Sequence, residues 1–223
     1  MPKAVALLVA AGSGERLGAS RPKAFVTLAG RPMLDWSVAA LRAAGLDEIV
    51  VALPEGEAAP SGCVGVPGGE TRSASVRAAL TAAGEGEWVV VHDAARPLAS
   101  PAVFRDTLDA LSGADCAVAA AQVTDTVKEA GPDHRVTATL DRSRLGAIQT
   151  PQAFRRDALE RALAVSGDVL AAATDDAWLV ERAGGSVVVV PSSAANFKVT
   201  TPHDLQVADL LLRERVSDNS VSG

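Results

Sequence analysis

Short apolar runs alternate along the chain with longer segments in which apolar side chains recur at helical spacing. The apolar runs predict strands at residues 4–11, 48–53, 64–66, 88–92, 116–123 and 186–190. The periodic segments predict helices at residues 32–44, 71–83, 101–111, 155–165, 175–183 and 202–213. Strands that alternate with helices are typical of an α/β fold. The pattern therefore predicts a doubly wound, mostly parallel sheet with helices on both faces.

One stretch, residues 124–146, interrupts this alternation. Residues 125–130 and 135–140 are rich in Thr and Val and flank the turn Gly131-Pro132-Asp133, which predicts a protruding β-hairpin arm. A two-stranded hairpin is only marginally stable by itself. We expect it either to pack on a second subunit or to fold back on its own domain. We expect residues 1–216 to form a single domain that carries this arm, and residues 217–223 to form a disordered tail.

The first strand opens into a glycine-rich loop, Ala10-Ala11-Gly12-Ser13-Gly14-Glu15-Arg16, and Pro22-Lys23 follows. Glycines let backbone N–H groups approach phosphate oxygens, and the two cations would neutralise them. The P-loop motif is excluded because the chain has no Gly-Lys pair. The dinucleotide fingerprint fails because Gly18 comes one residue late and Glu55 is too distant to bind the ribose. A phosphate site of another kind is indicated, although Arg16 and Lys23 could also be a solvated surface pair.

Polar clusters follow several predicted strands, where parallel sheets bind their ligands. In His92-Asp93-Ala94-Ala95-Arg96-Pro97, Asp93 could hold Mg²⁺ or a sugar hydroxyl and Arg96 a phosphate, or the two could form a structural salt bridge. The segment 68–75 could bind an anion or a base edge at a helix start, or be an ordinary cap. Lys198, after the last strand, can reach a phosphate at the same edge. Thr174-Asp175-Asp176 is typical of a capped helix start.

The amino-acid composition excludes some classes of function for this chain. Aromatic residues are 3% of the chain and there is no Tyr, which argues against stacking platforms for single-stranded nucleic acid. The net charge of −6 provides no overall attraction for a polyanion, so an anion site must be local. Cys63 and Cys116 fit neither a metal spacing nor a disulfide framework. With no segment long enough to span a bilayer and no secretion signal, we expect a cytoplasmic protein without nucleic-acid or membrane partners.

Several of these motifs occur in the order found in one enzyme family, so the chain resembles the 2-C-methyl-D-erythritol 4-phosphate cytidylyltransferases over residues 4–213. The segments that carry the resemblance are the glycine loop with Pro22-Lys23, Gly68-Gly69-Glu70-Thr71-Arg72, residues 92–97, Asp125-Thr126-Val127-Lys128, Gln149-Thr150-Pro151-Gln152, residues 174–176 and Asn196-Phe197-Lys198-Val199-Thr200. The resemblance implies a Rossmann-like nucleotidyltransferase fold. It also implies a reaction in which CTP and methylerythritol 4-phosphate give the cytidine diphosphate derivative and pyrophosphate.

The family's functional residues fall on definite positions of this sequence. The resemblance implies that Arg16, Lys23, Arg142 and Lys198 are catalytic. It places CTP against Ala10, Ala11, Gly12, Ser13, Gly14, Gly68, Arg72 and Ser75. It places the sugar phosphate against Asp93, Arg96, Thr126, Arg142 and Lys198, with Asp93 as a candidate metal ligand. Mg²⁺ bound with CTP and a homodimer whose arm carries Thr126 and Arg142 into the neighbour's site are further implications.

One position departs from the family pattern. Many members carry an acidic residue just before the Asn-x-Lys segment, where this chain has Ala195. If that carboxylate helps to hold Mg²⁺, its role would pass to Asp93 and the nucleotide phosphates. Two rival functions stay open at this point: a CTP-dependent ribitol 5-phosphate cytidylyltransferase, and a non-catalytic nucleotide-binding module of the same fold.

Overall fold

The structure is a computed structural model that describes residues 3–12, 14 and 21–221. Within them the strands are β1 (Ala4–Val9), β2 (Thr27–Leu28), β3 (Arg31–Pro32), β4 (Ile49–Leu53), β5 (Val64–Pro67), β6 (Trp88–Asp93), β7 (Cys116–Gln122), β8 (Lys128–Ala130), β9 (Val136–Thr139), β10 (Gly146–Arg155) and β11 (Val187–Ser192). The helices are α1 (Met33–Ala43), α2 (Arg72–Ala82), α3 (Pro101–Asp109), α4 (Arg156–Leu163), α5 (Gly167–Ala172), α6 (Asp176–Arg182) and α7 (Pro202–Val221).

Seven strands form the central sheet, in the order β11-β7-β10-β6-β1-β4-β5. Every neighbouring pair is parallel except those that involve β10, which runs antiparallel to both β6 and β7. Apolar residues alternate between the two faces of β1: Ala6 and Leu8 pack on one side, and Val5 and Leu7 on the other. The prediction of a mostly parallel, doubly wound α/β sheet is confirmed.

The two faces of the sheet carry separate helical layers. α1 and α3 cover one face, where Leu34, Leu41 and Phe104 are fully or almost fully buried. α2, α4, α5 and α6 cover the other face, and a third cluster lies under α7. In the part of the chain that the structure describes, no helix combines the length and the apolar composition needed to cross a bilayer.

β10 is the main element that the sequence analysis missed. Its register on β7 is interrupted between Ile148 and Gln152, so the segment 149–151 bulges at the end of β6. Pro normally excludes a segment from a central strand, and the polar residues around Pro151 hid the buried flanks of this one. The bulge accommodates Pro151, because the pairing with β7 resumes at Gln152, where the pairing with β6 also begins.

Other differences lie at the ends of elements. β1 ends at Val9 rather than at residue 11, and the short α5 and the β2–β3 pair were not predicted. α7 continues to Val221, so the predicted disordered tail is corrected to helix for residues 217–221. A capping box starts α7: Thr201 Oγ1 accepts from the Asp204 N–H at 3.1 Å, and Asp204 Oδ2 accepts from the Thr201 N–H at 2.8 Å.

The predicted hairpin arm is present, with shorter strands than expected. β8 and β9 pair antiparallel around a turn in which the His134 N–H donates to the Gly131 carbonyl at 3.0 Å. All three residues of β8 are exposed. Val136 is 59% exposed and Leu140 38% exposed, so the arm presents apolar side chains that its own chain leaves uncovered.

Candidate active site

The carboxyl ends of β1, β4 and β6 meet at one edge of the sheet, as parallel pairing requires. The Ala10 N–H donates to the Ala52 carbonyl at 2.9 Å, and the Ala94 N–H donates to the Val9 carbonyl at 3.0 Å. These bonds continue the sheet ladder by one residue past β1 and β6. The predicted glycine loop and the predicted Asp93 cluster are thereby brought side by side.

Two glycines allow close backbone approaches around this edge. Gly14 has a φ of +72°, and a Cβ there would lie 2.6 Å from the Lys23 Cβ. A Cβ on Gly68 would lie 2.2 Å from the Ala11 Cβ. Only glycine fits either position, so the loop packs directly on Lys23, and the segment before α2 packs directly on Ala11.

The start of α2 is held by its own side chains. Thr71 is the N-cap and accepts from the Ala74 N–H at 3.1 Å. The buried Ser75 hydroxyl accepts from the Gly69 N–H at 3.0 Å and lies 3.0 Å from the Thr71 carbonyl, to which it donates. Ser75 therefore fixes the turn at Gly69, and with it the helix N-terminus that faces the cavity.

A first cavity of about 220 Å³ lies between the glycine loop and this helix start. Eight of the predicted site residues line it: Ala10, Ala11, Gly12, Lys23, Arg72, Ser75, Asp93 and Lys198. Gly68 lines an adjoining groove beside Leu53 and Ala11. The structure thus brings together the predicted nucleotide side and two residues predicted for the sugar phosphate.

A line of alternating charges crosses the floor of the site. Arg72 Nε donates to Asp93 Oδ1 at 2.9 Å, and Lys198 Nζ lies 2.8 Å from Asp93 Oδ2. On its other side, Arg72 Nη1 forms an ion pair with the buried Asp176 Oδ2. Arg72 and Lys198, which the sequence assigned to separate roles, are joined through Asp93. The salt bridge considered between Asp93 and Arg96 does not form, and the partners of Asp93 are Arg72 and Lys198.

The pKa shifts follow from this arrangement. Burial opposes ionisation of Asp93, but the cations of Arg72 and Lys198 hold its pKa well below the usual range. Burial would lower the pKa of Arg72, yet its two carboxylate partners raise it. Burial raises the pKa of Asp176, against the opposing effect of Arg72. Asp93 is therefore charged throughout the neutral pH range, and its role is to hold cations rather than to transfer protons.

A second cavity of about 320 Å³ adjoins the first. Its wall is polar except for Ile148 and consists of Arg72, Asp93, Arg96, Ile148, Gln149, Thr150, Gln152, Thr174, Asp175 and Lys198. Arg72, Asp93 and Lys198 line both cavities. The two spaces therefore share one charged wall, where a group bound in one can meet a group bound in the other.

A buried hydrogen-bond network holds that wall from behind. Thr150 Oγ1 accepts from the Asp93 N–H at 3.0 Å and donates to His92 Nδ1 at 3.0 Å. His92 Nε2 then donates to the Arg96 carbonyl at 3.3 Å, and burial lowers the pKa of His92 to about 4, so its ring is neutral. Arg96 Nη1 donates to the Asn196 carbonyl at 2.8 Å, and Asn196 Nδ2 donates to the Thr150 carbonyl at 2.9 Å.

The remaining predicted residues divide into three groups. Thr126 and Arg142 are exposed in the arm and line neither cavity of their own chain, and Arg142 Nη1 donates to the Thr124 carbonyl. Gly14 lies behind Lys23 and also lines neither cavity. Ser13 and Arg16 lie outside the residues that the structure describes.

Sequence reasoning missed several residues that shape the site. Asp175 does cap α6, with its Oδ1 2.8 Å from the Trp178 N–H, and its Oδ2 accepts from Gln152 Nε2 at 2.8 Å. Asp176, to which neither the cap nor the resemblance assigned a role in the site, is fully buried against Arg72. Two adjacent acidic residues at a helix start were the available signal, since a cap needs only one of them.

Comparison with known proteins gives a consistent result. The sequence model of the 2-C-methyl-D-erythritol 4-phosphate cytidylyltransferase family matches residues 4–214. A relative of that name from Deinococcus radiodurans is 48% identical over 212 residues, covering 94% of this chain and 90% of the relative. Another from Rubrobacter xylanophilus is 43% identical over 228 residues, covering 96% and 97%.

Solved structures agree with the sequence matches. The crystal structure of 2-C-methyl-D-erythritol 4-phosphate cytidylyltransferase from Thermus thermophilus is 36% identical, with a TM-score of 0.80, over 94% of this chain and 98% of that one. The 4-diphosphocytidyl-2C-methyl-D-erythritol synthase of Anaerococcus prevotii is 30% identical with the same TM-score, 0.80, and the same coverage, 94% and 98%. The fold and the sequence therefore both match this family along nearly the whole chain.

Proposed function

The chain belongs to the 2-C-methyl-D-erythritol 4-phosphate cytidylyltransferase family, and on that premise we propose how its own residues carry out the reaction. An oxygen of the methylerythritol 4-phosphate group attacks the α-phosphorus of CTP. The bond from that phosphorus to the oxygen bridging to the β-phosphate breaks, and pyrophosphate leaves. The product is 4-diphosphocytidyl-2-C-methyl-D-erythritol, a precursor in isoprenoid biosynthesis.

The observation that carries this proposal is the charged wall shared by the two cavities. Two polyanions must meet at one phosphorus atom, and their repulsion is the main obstacle to the reaction. Arg72 and Lys198 line both cavities, so their charge serves both reactants. No protein nucleophile is required, because catalysis consists of positioning and of stabilising the charge that develops on the transferring and leaving oxygens.

Each cation has a place in this scheme. Lys23, packed on Gly14 at the glycine-loop end of the first cavity, stabilises the pyrophosphate as it leaves, together with Arg16. Lys198 orients the attacking phosphate, and Arg96 reaches it from the second cavity. The backbone of Ala10, Ala11 and Gly12 lies along the nucleotide.

The side chains of the described residues do not form a site that could hold a magnesium ion. Asp93 Oδ1 and Oδ2 are each bonded to a cation, at 2.9 and 2.8 Å, so neither is a free ligand. Among residues 3–12, 14 and 21–221, no three His, Cys, Asp or Glu side chains cluster closely enough to hold a metal. Ala195 adds no carboxylate. We expect any Mg²⁺ to bind through the oxygens of CTP, and no step above depends on it.

We further propose that the enzyme acts in the cytoplasm as a homodimer in which the arm completes the neighbour's site. Thr126 and Arg142 have the residue types that bind a phosphate, yet in this chain both are exposed and outside the two cavities. Val136 and Leu140 on the same arm are exposed apolar residues that a partner would cover. A two-stranded hairpin gains stability from such packing.

The proposal is tested by measuring pyrophosphate release with CTP and Mg²⁺, using methylerythritol 4-phosphate and ribitol 5-phosphate in parallel. We expect release with the first substrate, loss of turnover in Lys23→Ala, and no loss in Lys3→Ala, which lies at the opposite edge of the sheet. Release with ribitol 5-phosphate alone would move the enzyme to alditol-phosphate activation. Release with neither, from folded protein that still binds CTP, would favour a nucleotide-binding module.

A further inference from the structure

Asp176 is a buried carboxylate that the reaction scheme leaves without a role. It is the first residue of α6 and has no exposed surface. The helix does not need it as a cap, because Asp175 already accepts from the Trp178 N–H. A carboxylate is costly to bury unless it is paired, and its partner here is Arg72, which lines both cavities.

The geometry around Arg72 shows what Asp176 restrains. Arg72 Nη1 is bound to Asp176, which leaves Nε as the atom that reaches Asp93 Oδ1 at 2.9 Å. Arg72 thus makes a single hydrogen bond to Asp93. The second oxygen of Asp93, Oδ2, holds Lys198 Nζ at 2.8 Å.

Without this restraint a different arrangement would be preferred. An unrestrained guanidinium binds a carboxylate through two parallel hydrogen bonds, one to each oxygen. Arg72 would then occupy Asp93 Oδ2 as well as Oδ1 and compete with Lys198 for it. Lys198 would lose the contact that fixes its ammonium group between the two cavities.

We propose that Asp176 is a positioning residue: by holding one arm of the Arg72 guanidinium, it keeps Asp93 Oδ2 available to Lys198. This inference rests on the proposed function, since it assigns a role in placing the cation that orients the attacking phosphate. Asp176 itself touches neither reactant, because its side chain is fully buried behind Arg72.

If Asp176 acted only through its charge, its removal would change KM rather than kcat. Removing the charge of Asp176 makes the site more positive, which by itself would tighten binding of both anionic substrates and lower KM. Loss of positioning instead lowers kcat, because a small misplacement of a catalytic group costs on the order of ten- to a hundredfold in rate. The split between kcat and KM therefore separates the two roles.

The test is a kinetic cycle of Asp176→Asn and Arg72→Lys. Lysine carries the same charge as arginine but cannot bind a carboxylate through two parallel bonds. We expect D176N to lower kcat by about tenfold or more in the wild-type background and to have little further effect in the R72K background. Asp115→Asn is the matched control: it removes a carboxylate hydrogen-bonded to Ser186 at the opposite edge of the sheet and should leave kcat unchanged.

Two results would overturn the proposal. One is an unchanged kcat with a lower KM in D176N, and the other is a kcat loss of equal size in both backgrounds. If D176N does not fold, Asp176→Ser replaces it with the same expected outcomes, because the smaller side chain leaves room for water. A crystal structure of the variant gives a readout that needs no activity: Arg72 should bind both oxygens of Asp93, and an unmoved Arg72 would contradict the inference even if the wild-type enzyme used another sugar phosphate.

Discussion

Lys198 and Arg142 are both cations assigned to the sugar phosphate, but the chain holds them in very different ways. Lys198 is bonded to a buried carboxylate, which Arg72 and Asp176 fix from behind. Arg142 lies in the exposed arm and donates to a backbone carbonyl of the same arm. The first region is organised within a single chain, whereas Arg142 lines neither of the two cavities described above. In the proposed dimer this difference has a simple reason: one chain would provide most of a site, and its arm would serve the site of the neighbouring chain.

Removing Lys198 should have the largest effect on activity. Lys198→Ala takes away a cation shared by the two cavities, and loss of one such preorganised group costs about a hundred- to a thousandfold in rate. The side chain is partly exposed and Asp93 keeps Arg72 as a partner, so the protein should stay folded. Steady-state kinetics with both substrates, alongside thermal unfolding, tests this. A loss below about threefold would remove Lys198 from the reaction scheme, since a preorganised charge at the reacting phosphate contributes far more.

A change at Gly14 should disturb the same region through the backbone. An alanine Cβ would lie 2.6 Å from the Lys23 Cβ, so Gly14→Ala should displace Lys23 and lower kcat by roughly tenfold or more. Gly45→Ala is the matched control, because Gly45 also has a positive φ, +90°, but its Cβ would meet nothing within 4 Å. Both variants should lose about 1–2 kcal/mol of stability from backbone strain. Equal kcat values for the two would show that contact with Lys23 is unimportant.

The buried network behind the wall should appear in the pH dependence of stability. Burial lowers the pKa of His92 to about 4 from 6.5. Above pH 6.5 the ring is neutral in both the folded and unfolded states. As the pH falls from 6.5 to 4, only the unfolded state takes up the proton, so stability should fall by about 1.4 kcal/mol per pH unit from this group. His92→Gln should remove that slope in urea titrations. The exposed His203→Gln should keep it, and an equal slope in H92Q would contradict the assignment.

The smallest effect is expected for a polar contact within the arm. Lys128 Nζ donates to Thr139 Oγ1 at 2.6 Å across β8 and β9, and both side chains are exposed. Lys128→Ala should change the free energy of unfolding by less than about 0.5 kcal/mol, because water replaces the lost bond. Urea denaturation measures this value. A loss above about 1.5 kcal/mol would mean that the arm is stabilised from within rather than by packing on a partner.

The sequence predicted the edge that carries Lys198 better than it predicted the contacts there. Parallel strands end at a common edge, so the glycine loop, Asp93 and Lys198 could be placed together from their positions after strands. The alternation of elements likewise predicted the sheet and its two helical layers. The arm was recognisable because a Thr- and Val-rich hairpin breaks that alternation.

What the sequence could not predict are the long-range pairings. Pro151 and its polar neighbours concealed β10, whose place in the middle of the sheet depends on pairing with strands distant in sequence. Arg72 and Asp176 are 104 residues apart, and no local pattern relates them. Asp176 has the sequence context of a cap, and only the tertiary structure shows that it is buried. Local sequence signals identify individual residues of the site, whereas the tertiary packing determines which of them form ion pairs.

The division of the site between two chains can be measured directly by mixing two inactive variants, Lys198→Ala and Arg142→Ala. If the arm serves the neighbour, a mixed dimer contains one site with both residues intact and one site with neither. Random re-assortment should then restore about a quarter of the wild-type activity, since half of the dimers are mixed and one of their two sites is whole. If each chain uses its own Arg142, no mixed dimer has an intact site. In that case activity would stay at the level of the separate variants, and the account of the arm would be wrong.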